Sequence, residues 1–193
     1  MIKAFTSPVA PVAKTAAWLQ ASGVVLVGSA FVAVCAQFSL PLYFTPVPLS
    51  MAPFAVLLLG LLLSPRLAAA TLAAYLVEGA MGLPVFAPGP LAGPAHLIGP
   101  TAGYLLAYPL AAALISWLSR MGGRSFASLL VSATAGDVAI LTSGAIWMAA
   151  LTHATASTVF SLSVVPFLPG DALKIVAAAG LATSFQRVLP RKP

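Results

Sequence analysis

Charged residues are scarce in this chain. Of its 193 residues only 6% are charged, whereas 61% are hydrophobic. A soluble domain carries about a quarter charged residues, because its surface has to be solvated by water. The chain lacks the charge to coat a water-facing surface, and its composition therefore predicts an integral membrane protein that contacts the lipid bilayer.

The sequence also lacks the motifs of several enzyme classes. It has no phosphate-binding loop of the form G-x-x-x-x-G-K-[ST], no H-E-x-x-H and no G-x-S-x-G. With one cysteine, two histidines and three acidic residues, it has no paired His/Cys set for a metal ion. We therefore expect no catalytic residues, metal or cofactor. The single cysteine, Cys35, lies in an apolar run and is interpreted as a small buried side chain.

Six apolar stretches predict an all-α fold with six transmembrane helices. They cover residues 18–38, 51–63, 67–81, 103–118, 126–151 and 172–189. We interpret residues 1–193 as a single membrane domain, in which residues 1–17 form a cytoplasmic N-terminal segment. A full crossing needs about 20 residues, so we expect the three short stretches to tilt or to be sheltered by neighbouring loops.

The cations sort to one side of these six stretches. The net charge of +6 does not indicate nucleic acid binding, because the cations are scattered rather than gathered in a basic stripe. If both termini are cytoplasmic, every cation except Lys174 falls on the cytoplasmic side, as the positive-inside rule requires. The rule therefore predicts this orientation, and it leaves Lys174 unexplained.

The stretch FLPGDALK places Asp171 and Lys174 at the outer start of the sixth helix. Because Pro169-Gly170 fits poorly inside a helix, we expect the helix to begin at Asp171, with that carboxylate as the N-cap. One interpretation is structural, a capping Asp beside a snorkelling Lys. The other is a ligand site near the outer face, since a Lys in a membrane helix is costly and is by default a functional candidate.

Two further carboxylates lie within the predicted helices. Glu78 and Asp137 are candidates either for a proton relay, which would indicate an ion-coupled transporter, or for interhelical hydrogen bonds. His96 and His153 fall in outer loops and are interpreted as solvated surface. Residues 82–103 are crowded with Gly and Pro and contain no charged residue, so we expect this loop and the stretch PLYFTPVPLS to close over one pocket.

Four motifs, PVP, GLPVF, GPTAGYL and PFLPGDALK, occur in an order and spacing that resemble the BioY family. BioY proteins are the biotin-binding S components of energy-coupling factor (ECF) transporters. The resemblance covers the chain from Ala30 onward. It implies a six-helix fold in the bacterial cytoplasmic (inner) membrane, capture of biotin from outside, and a partnership with a transmembrane T component and two cytoplasmic ATPases.

The resemblance also implies roles for individual residues. The family's ligand-binding Asp and Lys fall on Asp171, which would bind the ureido N–H groups of biotin, and on Lys174, which would bind its carboxylate. The segments that surround the ligand in the family imply four more binding residues: Phe86, Thr101, Gly103 and Tyr104. Small residues four apart on the first helix, which contact the T component in the family, match Ser29 and Ala33.

Two other classes of protein stay open from the residues alone. One is a self-powered secondary transporter of a small organic anion that uses Glu78 or Asp137. The other is a membrane assembly factor that transports nothing. Ligand binding, and the energy source on which uptake depends, distinguish these classes from an S component.

Overall fold

The computed structural model describes residues 10–123 and 125–188, and side chains within residues 18–123 and 125–187. The described chain is mostly helical, which confirms the predicted fold class. Its seven α-helices are α1 (Ala10–Gln37), α2 (Ala52–Leu62), α3 (Pro65–Ala80), α4 (Ala102–Met121), α5 (Phe126–Thr152), α6 (Ala156–Ser163) and α7 (Leu168–Val188). A short 3-10 helix covers Gly93–Leu97, and two-residue strands β1 (Ser39–Leu40) and β2 (Leu49–Ser50) pair antiparallel.

Each of the six predicted stretches coincides with one of helices α1 to α5 or α7. By length and composition three helices can cross a membrane, namely Trp18–Gln37 within α1, α4 and α5, and a fourth span is possible if α6 and α7, which are bent by 50° relative to each other, act as one. The count of six crossings and the cytoplasmic placement of the termini stay predictions. Helix α1 begins at Ala10, inside the segment predicted to precede the first span.

Helix α2 lies at the centre of the helices. It contacts α1, α3, α4, α5 and α7, and Ala55, Val56 and Leu57 have no exposed surface. At 11 residues and ~1.5 Å per residue, α2 is about 16 Å long, roughly half of the ~30 Å hydrocarbon core. A helix that is apolar on all sides is typical of a buried position. Helix α2 is thus sheltered by other helices rather than by the neighbouring loops that were expected from the sequence.

Large apolar side chains cover the outside of the surrounding helices. Leu110 is 76% exposed and Trp18 is 75% exposed, and Val131 and Leu173 are also exposed. Contact with lipid removes the free-energy cost of placing such surfaces in water. The outer helices therefore present the surface expected of a multi-pass membrane protein.

Helix α7 begins at Leu168, so the prediction that it begins at Asp171 is wrong. Pro169 lies in the first turn, where its missing N–H would have no helical partner in any case. Asp171 is consequently not the N-cap. Its backbone N–H donates to the carbonyl of Phe167 at 2.8 Å, and its side chain is free to face inward.

The described cations at the helix ends lie on one side of the molecule. Arg66 is in the first turn of α3, while Arg120 and Arg187 are in the last turns of α4 and α7. Arg120 donates to the carbonyl of Leu63 at 3.4 Å, which ties α4 to the end of α2. The remaining cations assigned to the cytoplasmic side lie outside the described side chains, namely Lys3, Lys14, Arg124, Arg191 and Lys192.

Candidate ligand-binding site

A cavity of about 440 Å³ lies at the end of the molecule opposite these arginines. Helices α1 and α3 end there, α2, α4 and α7 begin there, and the middle of α5 forms one wall. Further walls are formed by residues 41–50 and 86–101, which belong to the two apolar loops that were predicted to close over one pocket. The volume falls in the ~300–1,000 Å³ range typical of sites for small molecules.

Asp171 and Lys174 form a buried ion pair in this cavity. Lys174 Nζ lies 2.8 Å from Asp171 Oδ1, and the two side chains are 7% and 5% exposed. An ammonium group has three N–H donors, and this is the one hydrogen bond that Lys174 makes among the described residues. Two donors of Lys174 and the second oxygen of Asp171 are therefore left to interact with a ligand.

Aromatic rings form another part of the cavity wall. Tyr75 makes an edge-on contact with Phe86 at a centroid distance of 5.3 Å and stacks on Tyr108 at 6.5 Å. Tyr104 donates from its hydroxyl to the carbonyl of Ser163 at 2.7 Å, which fixes α4 against the end of α6. The hydroxyl of Tyr75 is buried without a hydrogen-bond partner in the described chain. The site thus combines broad apolar surfaces with a few polar groups.

Five of the six predicted binding residues line the cavity. They are Phe86, Thr101, Tyr104, Asp171 and Lys174.

Gly103, the sixth, lies between α4 and α5 instead. A Cβ at Gly103 would collide with Trp147 and with the carbonyl of Ser143, and the Ser143 hydroxyl donates to the Gly103 carbonyl at 2.8 Å. The absence of a side chain at Gly103 allows α5 to approach α4 closely. Gly103 therefore helps to position its neighbour Tyr104 without lining the cavity.

His96 belongs to the site, so its interpretation as solvated surface is wrong. It is 8% exposed, packs on Phe86 with ring centroids 5.3 Å apart, and has Nε2 at 3.0 Å from the carbonyl of Leu91. Burial lowers the pKa of His96, although the hydrogen bond to Leu91 acts in the opposite direction. The other loop histidine, His153, is exposed as predicted and adopts a left-handed conformation at the end of α5.

Asp137 is a further residue of the cavity wall. It is 4% exposed, and it has no hydrogen-bond partner among the described residues. The sequence held a signal for its position: Asp137, Ile140, Leu141 and Gly144 follow the i, i+3, i+4, i+7 spacing of one helix face, and all four are buried. That spacing places Asp137 on the inner face of α5.

Glu78 takes the structural role that its sequence position left open. Its Oε1 accepts a hydrogen bond from the hydroxyl of Ser29 at 2.7 Å, which links α1 to α3. Glu78 is not among the residues that line the cavity. Ser29 itself is 1% exposed, whereas Ala33 is only partly buried. Of the two small residues predicted to face a T component, only Ala33 retains accessible surface.

The fold and the site together define a helical membrane protein with a cavity of small-molecule size at one end. The model of the BioY family matches residues 10–191. The chain therefore belongs to the BioY family, and the resemblance drawn from its motifs is confirmed.

Individual relatives cover most of the chain. It is 37% identical over 157 residues to the probable biotin transporter BioY of Pyrococcus horikoshii, a match that covers 81% of this chain and 90% of that protein. It is 35% identical over 160 residues to the biotin transporter BioY of Thermotoga maritima, with 83% and 92% covered.

A solved structure has a similar fold. The crystal structure of the S-component for biotin from an ECF-type ABC transporter superposes with a TM-score of 0.80 at 23% identity, covering 88% of this chain and 92% of that one. The helices of this chain are thus arranged in a similar fold to the helices of that structure.

Proposed function

We propose that this protein is the substrate-capture subunit of a biotin uptake system. The observation that carries the proposal is the Asp171–Lys174 ion pair, which lies in an aromatic cavity of suitable size in a chain of the BioY family. The names of its relatives point to the same ligand.

The chemistry of biotin matches the polar and apolar groups of the cavity. Its carboxylate suits the two unused N–H donors of Lys174, and its ureido N–H groups suit the unused oxygen of Asp171. The rings of Tyr75, Phe86 and Tyr108 provide apolar surface for the bicyclic ring and the alkyl chain. Because the pair is almost fully buried, these charge-assisted contacts form with little competition from water.

The orientation of the molecule supports capture from outside the cell. Arg66, Arg120 and Arg187 lie at the end opposite the cavity, and the positive-inside rule assigns that end to the cytoplasm. The cavity then opens toward the outer face of the bacterial cytoplasmic membrane.

The chain has no phosphate-binding loop and acts as a carrier rather than an enzyme. Accumulation of biotin against a gradient would then depend on partners that hydrolyse ATP. We assign this role to an ECF module composed of a transmembrane T component and two cytoplasmic ATPases.

Titration calorimetry on the purified protein tests this function. We expect biotin to bind tightly and with one site per chain. Absence of binding by protein that unfolds cooperatively, and is therefore folded, would refute the proposal. Biotin uptake by proteoliposomes that lack ATPase partners, and its loss when the proton gradient collapses, would instead favour a self-powered transporter.

A further inference from the structure

The cavity contains more carboxylate than ammonium. Asp171 and Asp137 both line it, and Lys174 is the one Lys or Arg among its lining residues in the described chain. Lys174 is bonded to Asp171 at 2.8 Å, so Asp137 has no cation of its own. The carboxylate of a bound ligand would be a third acid beside a single ammonium group.

The helices packed against α5 offer Asp137 no second cation within the cavity. On α7 the titratable groups that line the cavity are Asp171 and Lys174, and on α4 they are Tyr104 and Tyr108. Helices α2 and α6, which also contact α5, contain no titratable side chain. Tyr75 of α3 and His96 complete the titratable lining, and burial disfavours the charged form of His96.

Without a ligand the cavity opens to solvent, and water can hydrate the Asp137 carboxylate. A ligand that fills the cavity displaces this water and brings the total to three carboxylates and one ammonium group, which leaves two uncompensated negative charges in apolar surroundings. A buried charge without a partner is costly, and such a group takes up a proton instead. Asp171 and the ligand carboxylate share hydrogen bonds to Lys174, and the single negative charge in excess there is spread over both groups. Asp137, which is 4% exposed and unpartnered, is left as the group that must become neutral.

We propose that Asp137 takes up a proton when biotin binds, so that ligand capture is coupled to protonation of this carboxyl group. The proposal rests on the proposed function, because it requires an anionic ligand in this cavity. The proton comes from solvent and returns to solvent when biotin leaves, and no other bond is made or broken.

A neutral carboxyl group also fits the ligand. It donates through its O–H and accepts at its carbonyl oxygen, which complements the adjacent C=O and N–H of a cyclic urea. An ionised Asp137 could only accept and would repel the ureido carbonyl. Protonated Asp137 and ionised Asp171 can therefore bind two different edges of the same ureido ring.

The test measures protons and affinity together. Biotin is titrated by calorimetry between pH 6 and pH 9 in buffers of different ionisation enthalpy. We expect the wild-type protein to take up a proton, and its affinity to fall with rising pH by up to about tenfold per pH unit, the limit for one linked proton. Asp137→Asn, which mimics the neutral carboxyl group, should bind biotin with no proton uptake and with affinity that is level across this range.

Matched controls separate the possible results. Glu78→Gln removes a carboxylate that lies outside the cavity and should keep the proton uptake of the wild type. Biotin binding by the wild type without proton uptake at any pH would overturn the proposed protonation of Asp137 but not the proposed function. Equal proton uptake by the wild type and by Asp137→Asn would have the same consequence. So would loss of biotin binding by a folded Asp137→Asn protein, since Asp137 would then act as an ionised acceptor. If wild-type protein binds no biotin at any pH, the proposed function fails as well.

Discussion

Replacing Lys174 by Met should weaken biotin far more than biotin amide. Lys174 is 7% exposed and its ammonium group already has Asp171 at 2.8 Å, so the ligand carboxylate meets an ordered and largely water-free donor. A hydrogen bond to a charged group contributes about 1.5–3 kcal/mol. At about 1.4 kcal/mol per decade, the loss of this bond predicts a decrease in biotin affinity of about tenfold to a hundredfold.

The control ligand makes the prediction specific. Biotin amide has no carboxylate that could be left without its cation, so its affinity should change much less in Lys174→Met. Asp171→Asn should weaken both ligands to a similar extent, because both carry the ureido ring. The assay is calorimetry with each ligand on each variant, together with thermal unfolding to show that the variants fold.

Two results would refute the reasoning. Equal losses of affinity for biotin and for biotin amide in Lys174→Met would show that the biotin carboxylate does not bind Lys174. Reduced thermal stability in both variants, with unchanged affinity of the folded protein, would show that the ion pair is purely structural.

Three further predictions concern other parts of the chain. Ala33→Leu should reduce copurification with a T component and leave biotin affinity intact; a parallel loss of both would make Ala33 a folding position. Gly103→Ala should lower the midpoint of thermal unfolding, because overpacking costs about 1–3 kcal/mol. Gly180→Ala should not lower it, because a Cβ at Gly180 meets nothing within 4 Å. Equal decreases in the midpoint for both variants would contradict the packing argument. Because burial lowers the pKa of His96 in the folded protein, the unfolded chain binds the proton more readily, and the stability of the fold should decrease as the pH drops below about 6.5. Thermal unfolding at pH 5–8 should show a smaller decrease in stability for His96→Gln than for the wild type. Identical curves for the two proteins would exclude His96 as the cause.

The sequence predicts six of the seven helices and the central pair of the site, whereas the short helix α6 coincides with none of the apolar stretches. Long apolar runs require hydrogen-bonded backbone in lipid, so six helices could be located from composition alone. Lys174 was identified because it breaks the positive-inside rule, and Asp171 because it is one turn away. Both signals are local in sequence, and neither depends on knowing how the helices pack.

Other features depend on packing and were missed for that reason. His96 is buried by Phe86 from a distant part of the loop, which an uncharged Gly/Pro-rich sequence does not reveal. Helix α7 begins three residues before the predicted start, because Pro169 is tolerated in the first turn of a helix, although it would disrupt the interior. Gly103 belongs to the GPTAGYL motif, but it faces α5 rather than the cavity. Only the three-dimensional arrangement distinguishes residues of a motif that pack helices together from residues that line the cavity.

The short length of α2 determines how much room the ligand has. Ala52 and Pro53, the first residues of this central helix, form part of the cavity wall, and the helix continues from there away from the cavity. The volume beyond its N-terminus, enclosed by longer neighbours, is the space that a ligand can fill. One extra turn before Ala52 would extend the helix by about 5.4 Å into that space. The number of turns in this central helix thus limits the length of the molecule that the protein can hold.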